Sequence, residues 1–177
     1  FTGSSVVPKG VDPKLHSGIS SNGGLLAYSD STWRRADKFG FNTFGYVVYM
    51  FGAPVSFAAK RMKVVALSSA EAEYAAASYT CREIAFVRHV LDDLGFEIKG
   101  PTVLAVDNQA AIKIAENVGV TSRTKHFTDA IHYLRHQVEH LAVHLTFVRT
   151  DVQHADCFTK ALGKGPFRVW QRMLMRA

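Results

Sequence analysis

At 177 residues the chain fits one domain, and its 47% hydrophobic content can bury a sizeable core. Lysine and arginine outnumber aspartate and glutamate by 21 to 15, a formal net charge of +6 that suits a polyanionic partner. The two cysteines, Cys81 and Cys157, lack metal-ligand spacing, no apolar run reaches the length of a membrane span, and no charged-then-apolar leader opens the chain. A disulfide framework, a membrane-spanning protein and a secreted one are therefore all disfavoured. The first residue is Phe1 rather than Met, so the chain reads as a piece of a longer polypeptide.

Residues 1–23 are rich in Gly, Ser and Pro without periodicity and read as a linker or disordered lead-in, leaving 24–177 as the folded domain. "LLAYSD" (25–30) is a short apolar run ending in Asp. "FGYVVYMF" (44–51) and "PVSFAAK" (54–60) are rich in β-branched and aromatic residues, and "FGAP" between them reads as a hairpin connection. Residues 69–94 switch to helical period: Ala77, Cys81, Ile84, Val87, Leu91 and Leu94 share one stripe, and Gly95 caps its end. "TVLAVD" (102–107) is another apolar strand ending in Asp, followed by a helical "NQAAIKIAEN" (108–117) and a helix over about 127–140. A strand at 142–149 and a helical stretch over about 152–175, interrupted at "GKGP", complete the chain. The order β-β-β-α-β-α-α-β-α predicts an α/β domain with one mixed sheet.

"VALSSAEAEYAA" (65–76) holds two glutamates with different prospects. With Ser68 as N-cap, Glu71 falls at the third helical position and completes a capping box, and helical steps from it reach Ala75, Ser78, Arg82 and His89, a mainly polar face. Glu73 instead heads the apolar stripe through Ala77, so its carboxylate points towards the sheet and must be paired, protonated or bound to metal. Asp30 and Asp107 each end a strand, where ligand chemistry gathers in open α/β sheets. Asp107 could equally cap the helix that begins at Asn108. If the two strands are parallel neighbours, both carboxylates meet at one edge with Glu73 across it. Three converging carboxylates need divalent cations to neutralise them, and hard oxygen ligands suit Mg²⁺ or Mn²⁺ rather than zinc. Near the C-terminus both Asp151 and Asp156 stand at a helical start, and Asp151 could be a helix cap.

"YSDSTW", "ALSSAEAEYAA", "VDNQAAIKIAEN", "SRTKHF" and "ADCFTKAL" occur in the order and spacing of the ribonuclease H domain of copia-type LTR retrotransposons, and the chain resembles that family over about residues 24–175. The resemblance implies a ribonuclease H-like fold: a mixed five-stranded sheet, three antiparallel strands then two parallel, flanked by helices. It implies a catalytic, metal-binding set of Asp30, Glu73, Asp107 and Asp156. It implies an endonuclease that hydrolyses the RNA strand of RNA·DNA hybrids with two Mg²⁺ ions, Mn²⁺ being a possible substitute. Asp30 would bridge both ions, with Glu73 and Asp107 on one and Asp156 on the other. The chain departs from the family at Thr32, where a second Asp is common, in a loop after Trp33 poor in Ser and Thr, and at Phe127–Asp129.

Selecting RNA in a hybrid needs contacts to 2′-hydroxyls, for which Asn108 and Gln109 are the candidates, although both also suit a helix start. Among dispersed basic residues, Arg123 and Lys125 of "SRTKH" are the best candidates for phosphate contact. His132, His136 and His140 share a helix face, more often a basic strip than a zinc site; His144 and His154 are weak candidates for a catalytic histidine. The implied partners are an RNA·DNA hybrid and a reverse transcriptase polymerase domain in the same polyprotein, with no membrane. The implied location is a cytoplasmic retroelement particle, and the isolated domain is expected to be a monomer. Two other readings remain: a non-catalytic ribonuclease H-like domain that binds hybrid or tethers a reverse transcriptase, and an integrase- or resolvase-type nuclease, whose usual three acids and wide Asp-to-Glu gap fit less well.

Overall fold

The computed structural model describes residues 24–33, 41–116 and 128–174, side chains at 128–132 and 173–174 aside. The proposed lead-in 1–23 lies outside the described residues, as do Arg123 and Lys125. Five strands form one mixed sheet: β1 (Leu25–Ser31), β2 (Thr43–Met50), β3 (Ala53–Arg61), β4 (Thr102–Val106) and β5 (Val143–Phe147), in the spatial order β3-β2-β1-β4-β5. β1 and β2 pair antiparallel, as do β2 and β3, whereas β1–β4 and β4–β5 are parallel. The helices are α1 (Ser69–Asp93), α2 (Gln109–Glu116), α3 (Thr128–Glu139), the single turn α4 (Asp156–Thr159) and α5 (Lys164–Leu174), with a 3₁₀ turn at Thr150–Val152.

The β2–β3 connection is tighter than expected. Only Phe51 and Gly52 form the turn, both at positive φ, the pattern of a two-residue hairpin that matches strand twist. Ala53 and Pro54 already belong to β3. Pro54 is tolerated because β3 is an edge strand, and the ladder irregularity between Val48 and Tyr49 lies beside it.

α1 begins on a full capping arrangement. The Ser68 Oγ accepts from the Glu71 N–H at 3.2 Å, and Glu71 Oε2 accepts from the Leu67 N–H at 2.8 Å. It ends in a Schellman motif: Gly95 at φ 80, its N–H bonded to the Asp92 carbonyl and that of Phe96 to Leu91. Two expectations for this helix need correction. Residues 71–78 are all buried, so over that stretch the helix has no solvent face and Ala75 and Ser78 pack inside. Leu94, placed on the buried stripe, is exposed because it is already the C-cap.

The two faces of the sheet are unequal. Strand alternation sends Leu25, Ala27, Leu104, Val106, Val143 and Leu145 towards α1, α2 and α3, where they form the large core with Ile84 and Leu134. The opposite parity sends Leu26, Tyr28, Val103 and Ala105 into a small cluster with Val47, Tyr49, Val148 and Ala155. This thin layer is closed by the segment around α4, not by a long helix. The expected helix over about 152–175 is thus two helices, and the break at 160–163 ends at Gly163, the first residue of "GKGP". Pro166 sits in the first turn of α5, where a missing N–H is harmless.

Candidate functional site

Strand parity dictates where the strand-end acids go. Asp30 lies two residues after Tyr28, and Asp107 two after Ala105, which is the register partner of Tyr28. Both carboxylates therefore leave the sheet on the thin-layer face, at the C-terminal end of parallel neighbours. Asp156 arrives on the same face as the first residue of α4. One carboxylate oxygen from each of Asp30, Asp107 and Asp156 lies within 4.8 Å of the others.

One hydrogen bond ties the segment before α4 to β1, and two more brace that segment. Gln153 donates its amide to the Ser29 carbonyl at 3.0 Å and accepts from the Ala155 N–H at 3.2 Å. Trp170 of α5 donates its indole N–H to the His154 carbonyl. Gly45, the register partner of Asp30 in β2, admits the turn: a Cβ there would stand 2.4 Å from that of Phe158 and 3.1 Å from Thr159 Cγ2.

Glu73 approaches from the other layer. Its Oε1 accepts from both the Ser31 N–H at 3.1 Å and the Ser31 hydroxyl at 2.8 Å, so α1 is tied to the end of β1. Its Oε2 is buried with no hydrogen-bond partner. Glu73 is not one of the three clustered acids, but burial, followed by the charges of Asp30 and Asp107, holds its carboxyl well above the usual range. Asp30 is pushed up to about 6, chiefly by burial. Burial likewise raises Asp156, opposed by Lys160.

Several partners of these acids come from distant parts of the chain. Thr150 donates to Asp107 Oδ2 at 2.9 Å, and Thr159 donates to Asp30 Oδ2. Lys160, the residue that ends α4, sets its ammonium 2.6 Å from Asp156 Oδ1 and 3.4 Å from Asp30 Oδ1. Thr159 and Lys160 stand three and four residues after Asp156, the offsets that share a helix face. That spacing was legible, but its target was not. Asp151 pairs with exposed Arg149 and makes no cap.

The remaining candidates fall elsewhere. Asn108 caps α2, its Oδ1 accepting from the N–H groups of Ala110 and Ala111 at 3.0 and 3.1 Å, while Gln109 is exposed beside it. His136 near the end of α3 and His140 just past it are exposed and stack on each other at 4.0 Å. His144 is exposed in mid-β5. His154 is buried, stacked 4.3 Å from Tyr28 with Nδ1 3.1 Å from the Tyr49 hydroxyl, and burial pulls its pKa to about 4. It is a neutral core residue of the thin layer.

The donor set fits a hard divalent cation: all oxygen, negatively charged, crowded, and with one buried carboxylate oxygen lacking any donor. Among the described residues no other group of His, Cys, Asp or Glu has comparable geometry.

No family model matches the chain. It is 35% identical over 150 residues, 85% of its length, to the retrovirus-related Pol polyprotein from transposon RE2 of Arabidopsis thaliana. It is 32% identical over 130 residues to that from transposon TNT 1-94 of Nicotiana tabacum. The chain spans about 10% of the length of these relatives. Among solved structures it superposes on LC11-RNase H1, isolated from compost, with a TM-score of 0.56 at 14% identity, covering 76% of this chain and 91% of that one. The N-terminal RNase H domain of Rv2228c from Mycobacterium tuberculosis gives a TM-score of 0.55 at 10% identity, covering 84% and 96%. These likenesses show a common fold.

Proposed function

The chain belongs to the retrovirus-related Pol polyproteins of copia-type transposons, as their ribonuclease H-fold domain, and from that premise we propose that it is an endonuclease cutting the RNA strand of RNA·DNA hybrids during reverse transcription. The meeting of Asp30, Asp107 and Asp156 within 4.8 Å carries this reading. Together with Glu73, these residues would hold two divalent cations, Mg²⁺ or Mn²⁺. Such ions, when bound, activate an attacking water and stabilise the leaving 3′-oxygen.

The chain's own work is to hold the carboxylates against their mutual repulsion. Ser31 fixes Glu73, Thr159 fixes Asp30, Thr150 fixes Asp107, and Gln153 pins the segment that brings Asp156. Among the described residues no Ser–His or Cys–His pair stands at the site, and none is needed where water is the nucleophile. In this reading exposed Gln109, and Asn108 beside Asp107, would meet the hybrid. Arg123 and Lys125 remain the candidates for phosphate contact. In this reading the domain acts as a single copy in a cytoplasmic retroelement particle, beside a polymerase domain of the same polyprotein. No helix among the described residues is long and apolar enough to cross a membrane.

A second reading, a hybrid-binding domain without catalysis, has one observation in its favour: Lys160 already places a cation between two of the acids. Incubation of labelled RNA·DNA hybrid, duplex DNA and duplex RNA with and without Mg²⁺ separates the two. Cleavage of the hybrid's RNA alone, dependent on Mg²⁺, is expected, as is its loss in Glu73→Gln and Asp107→Asn. Glu71→Gln, which keeps an acceptor for the helix cap and loses only the charge at the helix N-terminus, should keep cleavage and lose about 0.5 kcal/mol of stability. Hybrid bound but never cut would establish the second reading.

A further inference from the structure

The Lys160 ammonium stands where its position is fixed by backbone as well as charge. Lys160 is the C-cap of α4, and its N–H bonds the Asp156 carbonyl at 2.8 Å. Its backbone then turns extended, and the half-buried side chain folds back across the turn onto Asp156 Oδ1 and Asp30 Oδ1. Both oxygens belong to acids of the three-carboxylate cluster, so the lysine does not salt-bridge a bystander. A bound dication and this ammonium would seek the same two carboxylates and repel each other. A lysine carries one positive charge for three clustered acids, enough to lower their repulsion and too little to cancel it.

We propose that Lys160 is a built-in competitor of the metal: it holds Asp30 and Asp156 together before a cation arrives and must give up these oxygens when one binds, which sets the cation concentration the site requires. This rests on the reading of the cluster as a cation site. Lys160 is a positioning residue in this scheme, since its action runs through Asp30 and Asp156. A merely structural lysine predicts the opposite sign, because loosening the site would weaken metal binding.

The test is a Mg²⁺ titration of the 177-residue chain, read by thermal melting and by calorimetry, for the wild type, Lys160→Met, Lys160→Gln, Lys160→Arg and Asp107→Asn. Lys160→Met is expected to saturate at about fivefold lower Mg²⁺, the size of a part-exposed ion pair, and to melt lower than the wild type in chelator. Lys160→Arg should return the wild-type midpoint. Lys160→Gln, which keeps a donor towards Asp156, gives the same comparison should the methionine variant fail to fold. An unchanged or higher Mg²⁺ midpoint in the neutral variants overturns the proposal while leaving the cation site intact. A wild type that responds to Mg²⁺ no more than Asp107→Asn removes the cation site, and this inference with it.

Discussion

The two layers on either side of the sheet are built on different principles. On one side, α1, α2 and α3 cover a broad aliphatic surface, and the buried residues there are chiefly hydrocarbon. On the other, a four-residue turn and a histidine meet two tyrosines of β1 and β2, and three aspartates gather at the strand ends. The thick layer supplies free energy through buried apolar area. The thin layer spends some of that free energy on burying carboxylates near one another. Glu73 and Ser31 connect the two, one from the helix side and one from the strand end.

The contrast can be broken most strongly from the thick side. Ile84→Ala removes a fully buried side chain of α1 and should cost about 2–5 kcal/mol in urea unfolding. Gly45→Ala attacks the thin side: the added methyl meets Phe158 and Thr159, so α4 must lift from β2. It should cost about 1–3 kcal/mol and, unlike Ile84→Ala in its folded fraction, abolish Mg²⁺ binding by moving Asp156. Calorimetry on the two variants checks that separation.

The smallest effect has the opposite sign. The Asp30 carboxyl, buried and raised from 3.8 to about 6, binds its proton more tightly folded than unfolded. Folding therefore loses stability as pH climbs from about 4 to about 6, then stays level. Asp30→Asn removes that penalty but forfeits the contacts to Thr159 and Lys160. In chelator near pH 7.5 it should be about 1–2 kcal/mol more stable than the wild type, with the gain gone by about pH 4. Thermal melts across that range decide it; a variant less stable at every pH would show that the thin layer carries no such penalty.

How much of this was readable in advance follows the same division. α1 announces itself by Ser68 and Glu71 at one end and Gly95 at the other, because capping is local chemistry. Glu73 stood out because helical period placed it over the stripe, and Asp30 and Asp107 because each ends an apolar strand. Choosing Asp156 over Asp151 was beyond local reading. Both lie in short helical turns, and what separates them is Gln153 reaching Ser29 and Gly45 making room for Phe158, contacts between distant parts of the chain. The roles of Thr150 and Lys160 were hidden for the same reason. The break before α5 begins a few residues ahead of "GKGP" and ends at its Gly163, because Lys164, Gly165 and Pro166 already form the first turn of the helix.

The amide of Gln153 spans 124 positions to reach Ser29. A growing chain thus makes β1 early, can bring Asp107 beside Asp30 once β4 exists, and must wait for the segment after β5 before Asp156 joins them, and such distant closures are slow to form. Any fragment ending before residue 153 lacks both the anchor and Asp156, so the acidic cluster cannot assemble piecemeal. The three-carboxylate cluster is incomplete until the segment carrying Gln153 and Asp156 has been made and has folded back to β1.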